Sequence, residues 1–152
     1  MRPFWRSKAD DYTIIAGCGR LGANLANRLS EEGLGVIIID LTADAFRKLS
    51  PSYSGLTLVG DATYINVLCE AGIERASAVV TVTNYDNTNI LVAQIAKKMF
   101  GIEHVIARLY DPEREFVYRD FKIDTISPAV LSMKEIDKLM HPNEPSKEEV
   151  RQ

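Results

Sequence analysis

A chain of 152 residues is the size of one domain, large enough to bury a core and too short to join a cofactor domain to a substrate domain. Its 46% hydrophobic and 26% charged residues match an ordinary soluble globular fold, and a net charge of −3 with a pI near 5.4 excludes general nucleic-acid binding. Apolar runs such as 36–39 fall far short of the roughly 20 residues that cross a bilayer, and the N-terminus lacks the apolar stretch of a secretory signal.

Residues 1–11 read as an exposed arm, in which Phe4 and Trp5 either fray or dock on a partner. A first strand is predicted over 13–16. It runs into Gly17-Cys18-Gly19-Arg20-Leu21-Gly22, after which Leu25, Ala26 and Leu29 continue from Leu21 the three-and-four spacing of a helix over 21–32. Further strands are predicted at 36–39, 56–59, 78–82, 105–107 and 125–126, and further helices at 43–49, 64–71, 87–100, 112–121 and 129–140. Pro112 and Pro128 suit first helical turns, with Ser127 as a cap, and 143–152 is a polar tail. The strands are continuous in Val and Ile rather than alternating, as parallel strands covered on both faces require. Strict alternation therefore predicts a Rossmann-type, doubly wound α/β fold, a six-stranded parallel sheet in the order 3-2-1-4-5-6 with helices on both faces.

In such a sheet the ligand crevice lies at the carboxyl ends of the strands, where the order reverses. This picks out Gly17 to Gly22, Asp40 with the adjoining Leu41, Gly60 to Thr63, Thr83, Asn84 and Arg108. Gly17, Gly19 and Gly22 form a G-x-G-x-x-G loop between a strand and a helix, the setting in which main-chain amides and the helix dipole receive a diphosphate. Asp40, about 20 residues past the loop, is placed to accept both ribose hydroxyls and would repel a 2′-phosphate, which favours NAD or a plain adenine nucleotide over NADP. Asp61 and Ala62 stand at the adenine side, although Asp61 equally suits a helix cap. Arg20 is expected to pair with phosphate or lie solvated, Asn84 and Asp86 to meet ligand or cap a helix, and Arg108 to meet phosphate or an acid. Cys18 and Cys69 read as reduced thiols with no zinc spacing, although the helix N-terminus and Arg20 beside Cys18 would lower its pKa.

The strand Ile14-Ile15-Ala16 with GCGRLG, Asp40 after its apolar run, GDAT at 60–63, the polar TNYDNTN at 83–89 and Ala107-Arg108 together resemble the RCK N-terminal (TrkA-N or KTN) domain, over about Tyr12 to Met140. The resemblance implies a cytoplasmic nucleotide-sensing regulatory subunit that binds NAD(H), AMP, ADP or ATP, forms a homodimer or larger ring, and gates an integral-membrane potassium transporter or channel at the inner face of the membrane. It implies that Gly17, Gly19, Gly22 and Arg20 hold phosphate, Asp40 the ribose, and Asp61 and Ala62 the base. It further implies a nucleotide-binding domain over 12–127 and a crossover helix for dimerisation over 128–142, with Val130, Met133, Ile136 and Met140 on its apolar face. Where some members carry a Glu that joins a metal site, this sequence has Ala129, so no metal is expected. No second ligand-binding lobe follows, as in a single-lobe member or part of a longer chain.

The competing reading is a short-chain NAD-dependent oxidoreductase, from the Tyr-x-x-x-Lys spacing of Tyr118 and Lys122. That pair is expected at the end of a helix, away from the carboxyl edge. His104 begins a strand and His141 lies in the tail, so neither supplies an acid or base to the cleft.

Overall fold

The computed structural model describes residues 11–142, so the expected tail and all of the arm except Asp11 lie outside the described residues. The Val- and Ile-rich runs become β1 (Tyr12–Ala16), β2 (Gly35–Asp40), β3 (Leu56–Val59), β4 (Ala78–Thr81), β5 (His104–Arg108) and β6 (Asp124–Ile126). They form one parallel six-stranded sheet in the expected order, β3-β2-β1-β4-β5-β6. Branched side chains stand in register across it, Ile15 between Ile38 of β2 and Val80 of β4.

Alternate residues of each strand feed opposite faces, and each face has its own apolar cluster. On one, Ile15, Val36, Ile38 and Val80 pack against Ala23 and Ala26 of α1 (Arg20–Glu31), with Ala45 and Phe46 beside them. On the other, Ile14, Val79 and Val105 pack with Leu68 of α2 (Ile65–Glu70), Val92 of α3 (Asp86–Gln94) and Tyr118 of α4 (Glu115–Arg119).

The segment predicted as a helix over 43–49 is a 3-10 helix, Ala43–Lys48, without a single buried residue. Ala45 and Phe46, with Leu49 just past its end, pack against the core only partly buried, so no full amphipathic stripe exists to fix an α-helix. The helix predicted over 87–100 begins at Asp86 and passes after Gln94 into a π-helical turn, Ile95–Met99, where Lys97 Nζ donates to the carbonyls of Ile102 and Glu103. The segment predicted over 112–121 is a 3-10 turn, Pro112–Arg114, followed by α4.

The last helix, α5 (Pro128–Met140), starts where expected: the Ser127 hydroxyl accepts from Val130 N–H at 3.5 Å. No residue of α5 is buried. Met133 and Ile136 are 60% and 55% exposed, so the expected apolar face is not covered by the described chain.

Candidate functional site

The chain leaves β1 through Gly17, whose φ of 107° is open to glycine but strained for other residues. Its N–H donates to Ile39 O at 2.8 Å, and a Cβ here would stand 2.9 Å from Val82 and Thr83 backbone atoms. Gly22 has a different reason: a Cβ on it would lie 1.9 Å from Gly17 O, so only glycine lets α1 approach the loop this closely. Gly19 has neither reason. Its φ is −81°, which any residue adopts, and a Cβ built on it meets nothing within 4 Å. The space in front of Gly19 is the cleft, and no side chain caps the N-terminus of α1.

The cleft is a cavity of about 340 Å³ at the carboxyl edge of the sheet. Of the residues expected from sequence, Gly17, Cys18, Gly19, Asp40, Leu41, Gly60, Asp61, Ala62, Thr63, Thr83 and Asn84 line it. Asp40 faces the loop: one carboxylate oxygen accepts Cys18 N–H at 2.8 Å and the other accepts Thr42 N–H at 3.1 Å. Asp61 folds its carboxylate onto its own turn, accepting from the amide and hydroxyl of Thr63 at 2.9 and 2.6 Å. It therefore stiffens the GDAT turn and does not cap α2, whose N-cap Tyr64 has no side-chain partner. Thr83 is held by Asn89, whose side-chain oxygen accepts both the Thr83 amide and its hydroxyl at 2.9 and 2.7 Å.

Four expected residues stand elsewhere. Arg20 and Leu21 are exposed and do not line the cleft, and Gly22 is buried behind Gly17. Arg108 is only 8% exposed and does not line the cleft. Its Nη2 donates to Val82 O and Thr83 O at 2.8 and 3.1 Å, its guanidinium lies 4.8 Å from the Tyr110 ring centre, and its Nε has no hydrogen-bond partner among the described residues. Arg108 braces the wall of the cleft from behind instead of facing a ligand or an acid. Asp86 and Asn84 do not cap α3, whose N-cap is Tyr85. The Asp86 carboxylate instead accepts the amides of Tyr110 and Asp111.

Cys18 also departs from expectation. Burial, and then the Asp40 carboxylate, push its thiol above the ordinary range, against a smaller opposing pull from Lys48. The thiol donates to Ala45 O at 3.4 Å and is 1% exposed, so desolvation prevails over the helix end. Tyr118 comes nearer the carboxyl edge than expected, its hydroxyl donating to Asp86 O at 3.3 Å. It is nevertheless buried outside the cleft, its pKa driven up mainly by desolvation, and Lys122 is exposed with a left-handed φ of 56°.

Sequence reasoning missed Lys48, Ala45, Tyr85 and Thr88 on the cleft wall, with Ile39 and Val82 at its base. Ala45 and Lys48 arrive because the 3-10 helix folds back over the loop, a placement no local pattern encodes. Tyr85 and Thr88 lie within the polar 83–89 run, which was the available signal. Among the described residues no group of three or more His, Cys, Asp or Glu side chains is placed to hold a metal, and no helix is long and apolar enough to cross a membrane.

Residues 13–128 match the model of the TrkA-N domain. The chain belongs to the TrkA-N domain family. Over 116 residues it is 42% identical to the Trk system potassium uptake protein TrkA of Streptomyces coelicolor, a match covering 76% of this chain and 52% of that one. The chain spans about half the length of the curated relatives it matches. Among solved structures, GsuK bound to ADP is similar with a TM-score of 0.73 at 28% identity, over 89% of this chain and 35% of that one. The GsuK channel bound to NAD is similar with a TM-score of 0.72 at 27% identity, over 89% and 24% of the two chains. In this TrkA-N chain the glycine loop follows β1, beside which the strand order reverses.

Proposed function

We propose that this TrkA-N domain binds an adenine nucleotide or NAD(H) in its cleft and acts as a regulatory subunit, not a catalyst, for a potassium uptake or channel protein in the membrane. The observation that carries this reading is Gly19: neither its backbone conformation nor its packing needs glycine, so the bare main chain is explained by a group that lies against it. Asp40 stands across the cleft with lone pairs beyond those given to Cys18 and Thr42, and free amides at the start of α1 suit phosphate. Similar structures carry ADP and NAD, and similar curated proteins serve Trk potassium uptake. On this reading Gly17, Cys18 and Gly19 cradle the diphosphate, Asp40 and Leu41 flank the ribose, and Gly60, Asp61 and Ala62 flank the base. Thr83 and Asn84 form the far wall.

The uncovered apolar face of α5 supports assembly as a homodimer or ring at the cytoplasmic side of the membrane partner. The buried Tyr118, bonded to a carbonyl, is not available to protonate a substrate, which counts against the oxidoreductase reading.

The deciding experiment is a calorimetric panel of NAD, NADH, NADP, ATP, ADP and AMP on the wild-type chain, with Asp40→Ala and Gly19→Val as controls. Binding of NAD or an adenine nucleotide, weakened in both variants, is the expected result. Indifference to all six ligands overturns the proposal, and NADH turnover abolished by Tyr118→Phe would restore the enzyme.

A further inference from the structure

Asp86 occupies an unusual position. It is the first residue of α3, directly after the Thr83–Tyr85 wall of the cleft, yet its carboxylate turns away from its own helix. One oxygen accepts Tyr110 N–H at 2.8 Å and the other accepts Asp111 N–H at 3.0 Å. A carboxylate shared between two consecutive amides fixes both the distance and the orientation of the segment it holds. Between that segment and the cleft wall runs a groove of about 300 Å³, so the two banks are joined by side chains across open space rather than by packing. Two further contacts bring the next turn onto the same place: Arg114 donates to the Asn87 side chain at 2.6 Å, and Tyr118 donates to Asp86 O.

The far side of the 109–112 segment faces α5. Leu109 N–H donates to Ile126 O at 2.8 Å, and Leu109 and Pro112 wall a second cavity, of about 250 Å³, with Val130 and Leu131 of the first turn of α5. Since α5 has no buried residue, its direction is set at this root and not by the core.

We propose that Asp86 is a positioning residue that couples the cleft wall to the root of α5, a coupling that presupposes the nucleotide site proposed above. A ligand in the cleft meets Thr83, Asn84 and Tyr85, the residues that lead into Asp86. Displacement of this wall is carried by the carboxylate to the Tyr110 and Asp111 amides, and by Leu109 and Pro112 to Val130 and Leu131. Ligands that hold the wall differently thereby set α5 differently, which is the differential interaction any two-state regulator needs.

The test is amide hydrogen exchange on the full chain, with and without ADP, in wild type, Asp86→Asn and Tyr118→Phe, and, without ligand, in Thr83→Ala and the Thr83→Ala/Asp86→Asn double variant. Asp86→Asn keeps the shape but only one of the two acceptors. In wild type, ADP is expected to slow exchange at Val130 and Leu131 by about fivefold or more. Asp86→Asn is expected to bind ADP within about threefold of wild type while losing most of that protection. Tyr118→Phe, which removes a contact without touching the carboxylate, lowers the melting temperature and keeps the coupling. Thr83→Ala loosens the wall without any ligand, and the resulting change at Val130 and Leu131 is expected to vanish in the double variant. Full transmission through Asp86→Asn, with either perturbation, overturns the proposal. If calorimetry shows that none of the six nucleotides binds wild type, the nucleotide reading fails, and the Thr83→Ala comparison still decides the role of Asp86.

Discussion

The carboxylate of Asp40 accepts the amide of Cys18 at 2.8 Å, joining the end of β2 to the glycine loop. The residue expected to hold the ribose therefore also sets the shape of the loop expected to hold the phosphates. Asp40→Ala leaves the Cys18 and Thr42 amides without this acceptor, and a charged hydrogen bond is worth about 1.5–3 kcal/mol. The expected fall in melting temperature is roughly 4–10 °C, with Asp40→Asn intermediate. Nucleotide affinity should fall about tenfold or more in Asp40→Ala. Calorimetry on one preparation measures both effects.

The second and third glycines of the loop, Gly19 and Gly22, separate stability from binding. Gly22→Ala forces a methyl to within 1.9 Å of Gly17 O, and overpacking of this kind costs about 1–3 kcal/mol or more, seen as a lowered denaturation midpoint. Gly19→Val puts its side chain into open cleft and loses only a favourable N-cap, about 1 kcal/mol. Titration with ADP and NAD should show its affinity cut by about tenfold or more, because the main chain can no longer approach the diphosphate.

Cys18 should be inert at neutral pH. Its pKa is raised by burial and by Asp40, so iodoacetamide with peptide mapping should label the exposed Cys69 and spare Cys18 until the chain unfolds. The same shift fixes an alkaline limit. A thiol held protonated by the fold stabilises it fully below the ordinary value of 9.0, and the contribution is lost as pH rises through the higher folded value. Tyr53, pushed from 10.0 up to about 12 mainly by burial, acts in the same direction over that higher window. Thermal unfolding between roughly pH 7 and 11 should show stability declining above about 9, with the onset of the decline reduced in Cys18→Ala.

Ile136 and Leu139 are 55% and 74% exposed on α5. Replacing both with glutamate should convert an assembled form to monomer in sedimentation velocity while shifting the monomer melting temperature by only about 1 °C, since surface changes usually cost under about 0.5 kcal/mol. Unchanged assembly would place the subunit contact elsewhere.

The sheet was legible because runs such as Val36–Ile39 carry their burial in their composition, and Gly17 and Gly22 carry a steric demand that no other residue meets. Asp40 followed from strand order and from its spacing past the glycine loop, and the GDAT turn from strand order. Arg108 was not legible: a sequence places it at the end of a strand but does not say that it turns under Val82 and Thr83 instead of into the cleft. Lys48 was hidden because its position depends on how a 3-10 helix packs over Cys18, a long-range fact. Cys18 misled because the dipole of a helix end is local and readable, whereas desolvation is a property of the finished fold. Asp86 looked like a helix cap, since its reach to Tyr110 and Asp111 exists only after β5 is laid beside β4.

A helix without buried residues receives little anchorage from its own subunit beyond its root, and a 13-residue helix alone in water is marginal. On the proposed assembly through this face, the integrity of α5 becomes a function of subunit concentration. Copies that find no companion expose Leu131, Met133, Ile136 and Leu139 to proteases, so limited digestion at low concentration should begin in α5 and spare the sheet. If that face joins subunits as proposed, surplus orphan subunits would be cleared through the same surface, which would link the lifetime of the protein to its stoichiometry.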